Sequence, residues 1–477
     1  MAFNDIREFC QALTKTGDLV HVKKEVDWEL EAAAITRRSN ETLGPALLFE
    51  KIKDYPAGYR ILGGQQATYR RVAVSLGMPP EAPIPDIYRE YEARDQKPIK
   101  PEIVTTGPCK ENVMKGEDID LLKFPVPLVH DGDGGRYFGT WDIVISKDPD
   151  TGWTNWGMYR FMVHNERVLT GDPTMTSHFG IVFREKFMPK KKRMPIAIVV
   201  GADPLSHMVA TAGYGIGVDE ADYAGALRKA PVQLVKAETS DLLVPAHAEI
   251  VVEGEILPDA VGTEGPFGEY PGYRTGRAHM ANVCLVKAIT YRSSPIMSMI
   301  SLGIPVDDSS VSAALTASLA IKRRLKRHNI PVTDVYAPAE GVTHLVVVGV
   351  EQGGMRVAQE IKNVITARRA AINKVVVVDK DVDVFDMKQV IHALSVKCHP
   401  VRGIVSNEVA PGKANELTPC YSLEERQHKK GGAVVFDCTW PPEWPKETLP
   451  IKSSFNDIYP REIQEKVLKN WKDYGLK

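Results

Sequence analysis

The sequence predicts a multidomain α+β and α/β protein, because its pattern of apolar residues changes twice along the chain. Residues 1–110 mix helical and strand patterns, residues 111–305 are rich in β-branched runs, and residues 306–450 alternate between helix and strand. Residues 451–477 form a charged, amphipathic tail. With 477 residues, of which 43% are hydrophobic, the chain is long enough to bury several cores.

The first region is predicted to be an N-terminal α/β domain. Asp5-Ile-Arg-Glu-Phe-Cys-Gln-Ala-Leu has helical spacing, and Leu19-Val-His-Val is typical of a strand. The stretch from Pro80 to Pro108 is rich in proline, which interrupts regular structure. We predict that this stretch is a linker to the next region.

The middle region contains β-branched runs bounded by Gly, Pro and Asp, as strands commonly are. These runs are Trp141-Asp-Ile-Val-Ile-Ser, Met194-Pro-Ile-Ala-Ile-Val-Val, Ala248-Glu-Ile-Val-Val-Glu and Asn282-Val-Cys-Leu-Val-Lys. Few long helical patterns separate them, which favours a barrel-like or sandwiched sheet.

The third region is predicted to be a C-terminal α/β domain. It opens with a helical pattern from Ser310 to His328. Two apolar runs, at residues 343–350 and 374–379, flank a helical pattern from Met355 to Ile372. This order predicts a β-α-β unit with parallel strands. The tail from Pro460 to Tyr474 is predicted to be a helix for docking or dimerisation.

Composition indicates an ordinary cytoplasmic protein. Lys and Arg number 60 against 61 Asp and Glu, so the bulk charge indicates neither a nucleic acid nor an anionic membrane as partner. No apolar run approaches the roughly 20 residues that cross a bilayer. The 6 cysteines include no C-x-x-C pair, which fits a reducing compartment.

The glycine-rich segment Gly213-Tyr-Gly-Ile-Gly217 resembles a dinucleotide-binding loop only superficially. Its spacing is G-x-G-x-G, and no β-branched strand comes directly before it. The sequence therefore does not favour a nicotinamide cofactor at this position.

Glu264-Gly-Pro-Phe-Gly-Glu269 is the most informative segment for function. Pro266 fixes its own φ, and Gly265 and Gly268 allow backbone angles that other residues rarely adopt. We expect a shaped loop that aims Glu264 and Glu269 at one place. Paired carboxylates suit general acid–base chemistry, because repulsion or an apolar wall raises one pKa. Phe267 could supply that wall, although a solvated turn also fits the pattern.

Asn155, His178 and Glu220 combine an amide oxygen, an imidazole and a carboxylate. Such a mixed set suits Mn²⁺ or Mg²⁺ better than a structural zinc site, which favours Cys and His. The spacing alone indicates a metal only weakly, since an isolated His near apolar residues is commonly structural.

Together these segments resemble the UbiD-like decarboxylases in order and spacing. The resemblance lies in Asn155-Trp-Gly-Met-Tyr-Arg160, Ser177-His178, the surroundings of Glu220, the Glu264–Glu269 segment and Lys430-Gly-Gly-Ala-Val-Val-Phe-Asp. It covers nearly the whole chain. The fold that it implies has a central flavin-reductase-like split β-barrel between the two α/β domains, and the C-terminal domain dimerises. One departure is Glu269, where some members carry Asp.

The family resemblance also implies roles for individual residues. Prenylated FMN would be held with a divalent metal, Mn²⁺ or Mg²⁺, and a potassium ion. Asn155, His178 and Glu220 would be the metal ligands. Arg160 and Glu269 would face the substrate, and Glu264 would bind Arg160. The residues implied at the cofactor are Asn155, Trp156, Gly157, Met158, Tyr159, Arg160, Ser177, His178, Glu220 and Lys430, with Lys429 as the alternative to Lys430.

The function implied is reversible, non-oxidative decarboxylation of an aromatic, heteroaromatic or α,β-unsaturated carboxylic acid. Glu269 would donate the proton that replaces CO₂. A flavin prenyltransferase would supply the cofactor, and the protein would be a homodimer or homohexamer. An FMN-dependent oxidoreductase and a flavin-binding protein without catalysis are the alternatives.

Overall fold

A computed structural model describes residues 3–171, 177–367 and 371–476 of the chain. Within these residues the strands form four sheets, which contain four, eight, three and five strands. Short 3₁₀ turns lie at Pro108–Lys110, Gly116–Asp118, Leu121–Lys123, Met188–Lys190, Ala339–Gly341 and Lys446–Thr448, and a π-helical turn spans Phe183–Phe187. In the part of the chain that is described, no helix is long and apolar enough to cross a membrane.

The N-terminal end of the chain contains four helices and three strands of a small sheet. These elements are α1 Ile6–Thr16, β1 Leu19–Val22, α2 Glu31–Glu41, β2 Ala46–Phe49, β3 Arg60–Gly63, α3 Tyr69–Ser75 and α4 Ile84–Asp95. The Asp5 side chain caps α1 by accepting a hydrogen bond from Glu8 N, and Gly17, at φ 76°, ends the helix. The predicted first helix and first strand are confirmed.

The predicted linker is wrong for residues 84–95, which form α4. This helix buries Ile87, Tyr88 and Tyr91 on one face. Pro85 lies in the first turn, where a backbone N–H has no intrahelical acceptor to lose. Proline therefore marks the start of this helix, and the aromatic spacing that follows is a core-facing pattern.

The middle of the chain is mostly strand. Its elements are β4 Glu102–Val104, β5 Asn112–Lys115, β6 Asp142–Lys147, β7 Thr154–Gly157, β8 Met162–Val163, β9 Val168–Gly171, α5 His178–Val182, β10 Met194–Val200, α6 Pro204–Ala210, α7 Glu220–Arg228, β11 Gln233–Lys236, β12 Leu243–Pro245, β13 Ile250–Glu264, β14 His279–Tyr291 and β15 Ile296–Met299. The predicted strand-rich character is confirmed.

Eight of these strands form one antiparallel sheet in the order β7-β6-β10-β13-β14-β9-β8, with β5 beside the end of β14. Strands β4, β11 and β12 form the three-stranded sheet, and β15 joins the first sheet beside β3. Among the described residues no pairing joins β7 to β8, so the path is open. The split-barrel form of this sheet stays a prediction.

The large sheet is buried on both faces. Along β10, Ile196 and Ile198 pack into one apolar cluster, whereas Ala197 and Val199 pack into another. Successive side chains of a strand point to opposite faces, so a strand between two cores is apolar throughout. This explains why Met194–Val200 is a continuous apolar run.

The C-terminal part is an α/β arrangement. Its elements are α8 Asp308–Arg327, β16 Val332–Tyr336, β17 Leu345–Val350, α9 Met355–Thr366, β18 Lys374–Asp379, α10 Met387–Val396, β19 Ile404–Glu408, α11 Leu423–Gln427, β20 Gly432–Cys438, α12 Phe455–Ile458 and α13 Arg461–Lys469. The sheet order is β16-β17-β18-β20-β19. Strands β17 and β18 are parallel and are joined through α9, which confirms the predicted β-α-β unit. The helix of this unit ends at Thr366, and residues 368–370 lie outside the described part.

Candidate active site

A cavity of about 820 Å³ lies where the large sheet, α7, α8 and the C-terminal part meet. Most residues implied by the family resemblance line it. They are Asn155, Trp156, Gly157, Met158, Tyr159, Arg160, Ser177, His178, Glu220, Glu264 and Glu269. Residues that are up to 114 positions apart in the sequence therefore share one space.

Arg160 joins the two carboxylates of the Glu264–Glu269 segment. Its Nε donates to Glu264 Oε1 at 2.8 Å, and its Nη2 donates to Glu264 Oε2 at 2.9 Å. Its Nη1 contacts Glu269 Oε1. Glu264 and Glu269 are both buried. A guanidinium bound at two points is fixed in direction, so Arg160 holds Glu269 at a defined place on the cavity wall.

The Glu264–Glu269 segment is a shaped loop, as its glycines and proline predict. Gly265 adopts φ 75°, which is costly for residues with a Cβ. The carbonyl of Pro266 accepts from Gly134 N at 2.7 Å, and Gly268 N donates to Asp133 Oδ1 at 2.9 Å. A Cβ on Gly268 would lie 2.5 Å from His130 Nδ1, so only glycine fits there without a shift.

Phe267 forms an apolar wall behind the pair of carboxylates. Its side chain is 3% exposed, and its ring centroid lies 4.5 Å from that of Tyr137. The guanidinium carbon of Arg160 lies 5.2 Å from the Phe267 centroid. This geometry adds a cation–π contact to the contacts that hold Arg160.

Two further side chains contact Glu264 and were not predicted. Tyr137 donates from its hydroxyl to Glu264 Oε1 at 3.0 Å, and burial raises the pKa of this tyrosine. His279 Nε2 lies 3.5 Å from Glu264 Oε2. Glu264 and His279 are paired residues of β13 and β14. Strand register connects them, and register is not visible in the motifs.

Asn155, His178 and Glu220 come from three elements that converge on the same cavity. Asn155 lies on β7, His178 is the first residue of α5, and Glu220 is the first residue of α7. The carboxylate of Glu220 accepts from Trp156 N at 2.9 Å, which ties α7 to β7.

These three residues fit a cation. Glu220 is 1% exposed, and burial, followed by the nearby Asp219, raises the pKa of its carboxyl to about 8. A positive charge beside Glu220 would offset this cost. The Asn155 amide is buried as well, and its Oδ1 is the atom that could bind a cation. Within the described ranges no three His, Cys, Asp or Glu side chains come together, so a metal here depends on the amide as well.

Lys430 is not brought to the cavity with the other predicted residues. It is exposed and is not among the described residues that line the cavity. Its neighbour Lys429 reaches Glu416, with 3.9 Å between Nζ and Oε1, and Glu416 does line the cavity. Of the two lysines, Lys429 is therefore the one connected to the site.

Gly213 and Tyr214 of the glycine-rich segment also line the cavity. Tyr214 is buried, and its hydroxyl donates to Asp95, a carboxylate that Arg323 also contacts. The segment is thus a loop anchored through one aromatic side chain. The G-x-G-x-G spacing of this segment does not indicate that its residues line a cavity.

Besides Ser309 and Ala313 of α8, the C-terminal part contributes Thr343, Glu416 and Leu417 to the cavity wall. Sequence reasoning missed these residues because they lie outside every motif and far along the chain from Glu269. Only the packing of the C-terminal part against the large sheet brings them to the site.

Family models match most of the chain in three consecutive parts. They are the N-terminal domain of 3-octaprenyl-4-hydroxybenzoate carboxy-lyase over residues 10–91, its Rift-related domain over residues 102–305, and its C-terminal domain over residues 310–438.

The relatives of the chain include a pyrrole-2-carboxylic acid decarboxylase from Pseudomonas aeruginosa. The two sequences are 33% identical over 99% of this chain and 98% of that protein.

Solved structures of similar proteins have the same fold. The closed form of vanillic acid decarboxylase from Sedimentibacter hydroxybenzoicus has a TM-score of 0.89 at 30% identity and covers 99% of each chain. The UbiD-class enzyme HmfF from Pelotomaculum thermopropionicum, solved with FMN, has a TM-score of 0.81 at 30% identity over 94% of this chain and 97% of that one. An evolved dimeric form of HmfF, solved with prFMN, has a TM-score of 0.77 at 28% identity, with the same coverage. These matches confirm the family that the sequence motifs predict: the chain belongs to the UbiD family of carboxy-lyases.

Proposed function

We propose that this protein catalyses the reversible, non-oxidative decarboxylation of an aromatic, heteroaromatic or α,β-unsaturated carboxylic acid with prenylated FMN. The observation that carries the proposal is the bridge from Glu264 through Arg160 to Glu269 at the wall of the cavity. A protein that only binds flavin has no need of a positioned acid in that cavity. Membership of a carboxy-lyase family supports the same reaction.

Glu269 is the proton donor in this proposal. Loss of CO₂ leaves an electron pair on the substrate carbon, and a proton must replace the carboxyl group there. Prenylated FMN, when bound, supplies the electron sink that carbanion formation on an sp² carbon requires. Glu269 gives its proton to that carbon and regains one from water. Arg160 orients the Glu269 carboxyl, and Glu264 keeps Arg160 in place.

Asn155, His178 and Glu220 are proposed to hold a divalent cation, Mn²⁺ or Mg²⁺, beside the phosphate of the cofactor. The buried Glu220 carboxyl, with its raised pKa, supports a cation at this place. A phosphate there needs positive charge nearby, which the ion supplies together with a lysine. The connection of Lys429 to Glu416 favours Lys429 over Lys430 for that contact. A potassium ion is proposed from the family resemblance alone.

Trp156, Gly157, Met158, Tyr159 and Ser177 are proposed to contact the cofactor. They line the same cavity as the proposed metal ligands. A Cβ on Gly157 would lie 2.5 Å from the Tyr159 ring, so this part of the wall is closely packed.

The domain division and the assembly remain proposals as well. We propose boundaries near residues 110, 305 and 450, with the eight-stranded antiparallel sheet as a flavin-reductase-like split β-barrel. The C-terminal part would dimerise, and a homodimer or homohexamer would form. A flavin prenyltransferase is the proposed source of the cofactor, and a small carboxylic acid is the substrate.

The test compares protein produced with and without a flavin prenyltransferase. We expect only the co-produced protein to have the absorption spectrum of a modified flavin and to release CO₂. Pyrrole-2-carboxylic acid and vanillic acid are suitable first substrates, because two similar proteins are named for them. Robust turnover with unmodified FMN would favour an oxidoreductase-type flavin site and would contradict the proposal.

A further inference from the structure

The turn that follows the proposed proton donor is tied to the C-terminal part by a hydrogen bond between side chains. Gly272 N donates to the carbonyl of Glu269 at 2.9 Å and closes a four-residue turn. Tyr270, the second residue of this turn, accepts at its hydroxyl from Asn415 Nδ2 at 2.6 Å. The two bonded residues are 145 positions apart. The position of this turn therefore depends on a distant segment of the chain.

Asn415 is itself held in place. Its Oδ1 accepts from Leu417 N at 3.0 Å, and its carbonyl accepts from Thr418 N at 3.1 Å. The Asn415 amide thus stabilises its own turn through Oδ1 and donates to Tyr270 through Nδ2. A side chain loses conformational entropy when a hydrogen bond fixes its rotamer. Because the bond to Leu417 N already fixes the Asn415 rotamer, the additional bond to Tyr270 costs less entropy.

A buried histidine anchors this asparagine turn to the body of the C-terminal part. His344 Nδ1 lies 3.0 Å from the carbonyl of Val342, and its Nε2 lies 3.1 Å from Thr418 Oγ1. Burial lowers the pKa of His344, which favours the neutral ring. Because a carbonyl can only accept, Nδ1 carries the hydrogen and Nε2 accepts from Thr418.

Upstream of the proton donor the loop is held by a different part of the chain. Gly268 N donates to Asp133 Oδ1 at 2.9 Å, so residues before Glu269 are fixed to the 130–134 segment. Downstream, Tyr270 bonds Asn415, and Thr275 Oγ1 lies 3.4 Å from the carbonyl of Leu417. The backbone is therefore fixed on both sides of Glu269, and the C-terminal part supplies the contacts on the downstream side.

We propose that Tyr270 and Asn415 are positioning residues for proton delivery by Glu269. The consequence for catalysis rests on the proposed function, whereas the hydrogen bond between Tyr270 and Asn415 does not. Arg160 contacts Glu269 through Nη1 and binds both oxygens of Glu264 through Nε and Nη2, so the same guanidinium is shared between the two carboxylates. Without the Tyr270 hydrogen bond the turn would gain freedom, and the carboxyl would reach the substrate carbon less often. Displacements of about 1 Å cost on the order of 10²-fold in rate.

The experiment removes one hydroxyl with Tyr270→Phe and uses Tyr69→Phe as the matched control. The Tyr69 hydroxyl bonds the hydroxyl of Tyr336 at 2.8 Å, so it joins the C-terminal part to another part of the chain, the N-terminal one. Tyr69 and Tyr336 are not among the described residues that line the cavity, whereas Tyr270 is, so KM and flavin content must be followed together with kcat. The control therefore reports the cost of losing a contact between these parts away from the site.

Two measurements are made on each variant. Backbone hydrogen exchange over residues 269–276, followed by mass spectrometry on the apo-protein, reports the freedom of the turn. The kcat for CO₂ release, with KM and flavin content, reports catalysis in protein loaded with the cofactor. For Tyr270→Phe we expect exchange to become several-fold faster and kcat to fall about 10-fold, with KM and flavin content changed less than about 2-fold. Tyr69→Phe should leave the exchange of this turn and kcat at wild-type values.

A double variant checks that the two residues act together. Tyr270→Phe combined with Asn415→Ala should lose no more kcat than the more affected single variant, because both changes remove the same hydrogen bond. Independent, additive losses would overturn the inference. Unchanged exchange over residues 269–276 in Tyr270→Phe would overturn it as well. If wild-type protein releases no CO₂, the proposed function fails, and hydrogen exchange still decides whether Tyr270 fixes the turn.

Discussion

Two buried glutamates that line the cavity have very different surroundings. Glu264 is 1% exposed and receives Arg160 at both oxygens, as well as the hydroxyl of Tyr137. Glu220 is also 1% exposed, but it accepts from the backbone of Trp156 and lies close to the acidic Asp219. The acid end of the site, formed by Arg160 and its two glutamates, is complete within the chain. We call Asn155, His178 and Glu220 the metal end of the site, and we propose that a cation completes it.

This difference distinguishes a group of side chains that is positioned by folding alone from a group that is proposed to need a bound cation. At the acid end both carboxylates contact Arg160, so the position of Glu269, the proposed proton donor, is set on folding. At the metal end we propose that the carboxyl of Glu220, whose ionised form is destabilised by burial, becomes a ligand when a cation binds. Variants at the two ends should therefore fail in different ways.

The largest effect is expected at Glu269. Glu269→Gln keeps the shape of the side chain but removes the transferable proton, and a positioned acid contributes about 10²–10⁴-fold. We expect kcat to fall by that factor while flavin and metal contents stay at wild-type values. The measurement is CO₂ release together with deuterium incorporation into the product in heavy water. Near-normal turnover would remove Glu269 from the role of proton donor.

Changes at the metal end should remove the ligand first. His178→Ala and Glu220→Gln each take away one proposed donor, and even residues that only support a metal ligand cost about 10–100-fold in affinity when changed. We expect divalent metal and bound flavin to be lost together, and dialysis of wild-type protein against a chelator should have the same effect. Elemental analysis and the flavin absorbance measure both losses. Full metal occupancy in both variants would show that the ligand assignment is wrong.

A smaller effect is expected for Glu264→Gln. The amide retains one acceptor for Arg160 but loses the charge, and hydrogen bonds between charged groups contribute about 1.5–3 kcal/mol. Because Arg160 would then be held less firmly, kcat should fall about 10-fold, with metal content unchanged. Kinetics and elemental analysis on the same preparation check both statements. Loss of metal in this variant would break the separation between the two ends.

The smallest effect is expected for Tyr137→Phe. This change removes one neutral donor to Glu264, which corresponds to about 0.5–1.5 kcal/mol. We expect kcat to fall only about 2- to 10-fold, since Arg160 still holds both oxygens of Glu264. Tyr421→Phe is the control, because its hydroxyl donates to the carbonyl of Gly432 at 2.8 Å, away from the cavity lining. Equal losses in the two variants would count against a role of Tyr137 at the acid end.

The parts of the fold that local chemistry determines were predictable from the sequence. The β17-α9-β18 unit follows from two apolar runs around a helical pattern, and the shape of the Glu264–Glu269 loop follows from Pro266 and its flanking glycines. Such features depend on neighbours in the sequence, which a single chain displays directly.

Features that depend on register and on packing between distant segments were not predictable. His279 contacts Glu264 because β13 and β14 pair in one register out of several that their apolar patterns allow. Leu417 reaches the cavity because the C-terminal part packs against the large sheet. The helix α4 was missed for another reason. Proline was read as an interruption although it stands in the first helical turn, where it is compatible with a helix.

The strand β15 has a consequence for dissecting the molecule. It pairs in parallel with β3, so residues 296–299 complete a sheet whose other strands come from the first 63 residues. A fragment that ends near residue 110 would leave the edge of β3 without a neighbour, and exposed strand edges recruit other chains. Arg7 would also lose Glu249, which it binds at 2.6 and 2.8 Å. Genetic fusions or swaps between relatives should therefore exchange the N-terminal segment and residues 296–299 as one piece.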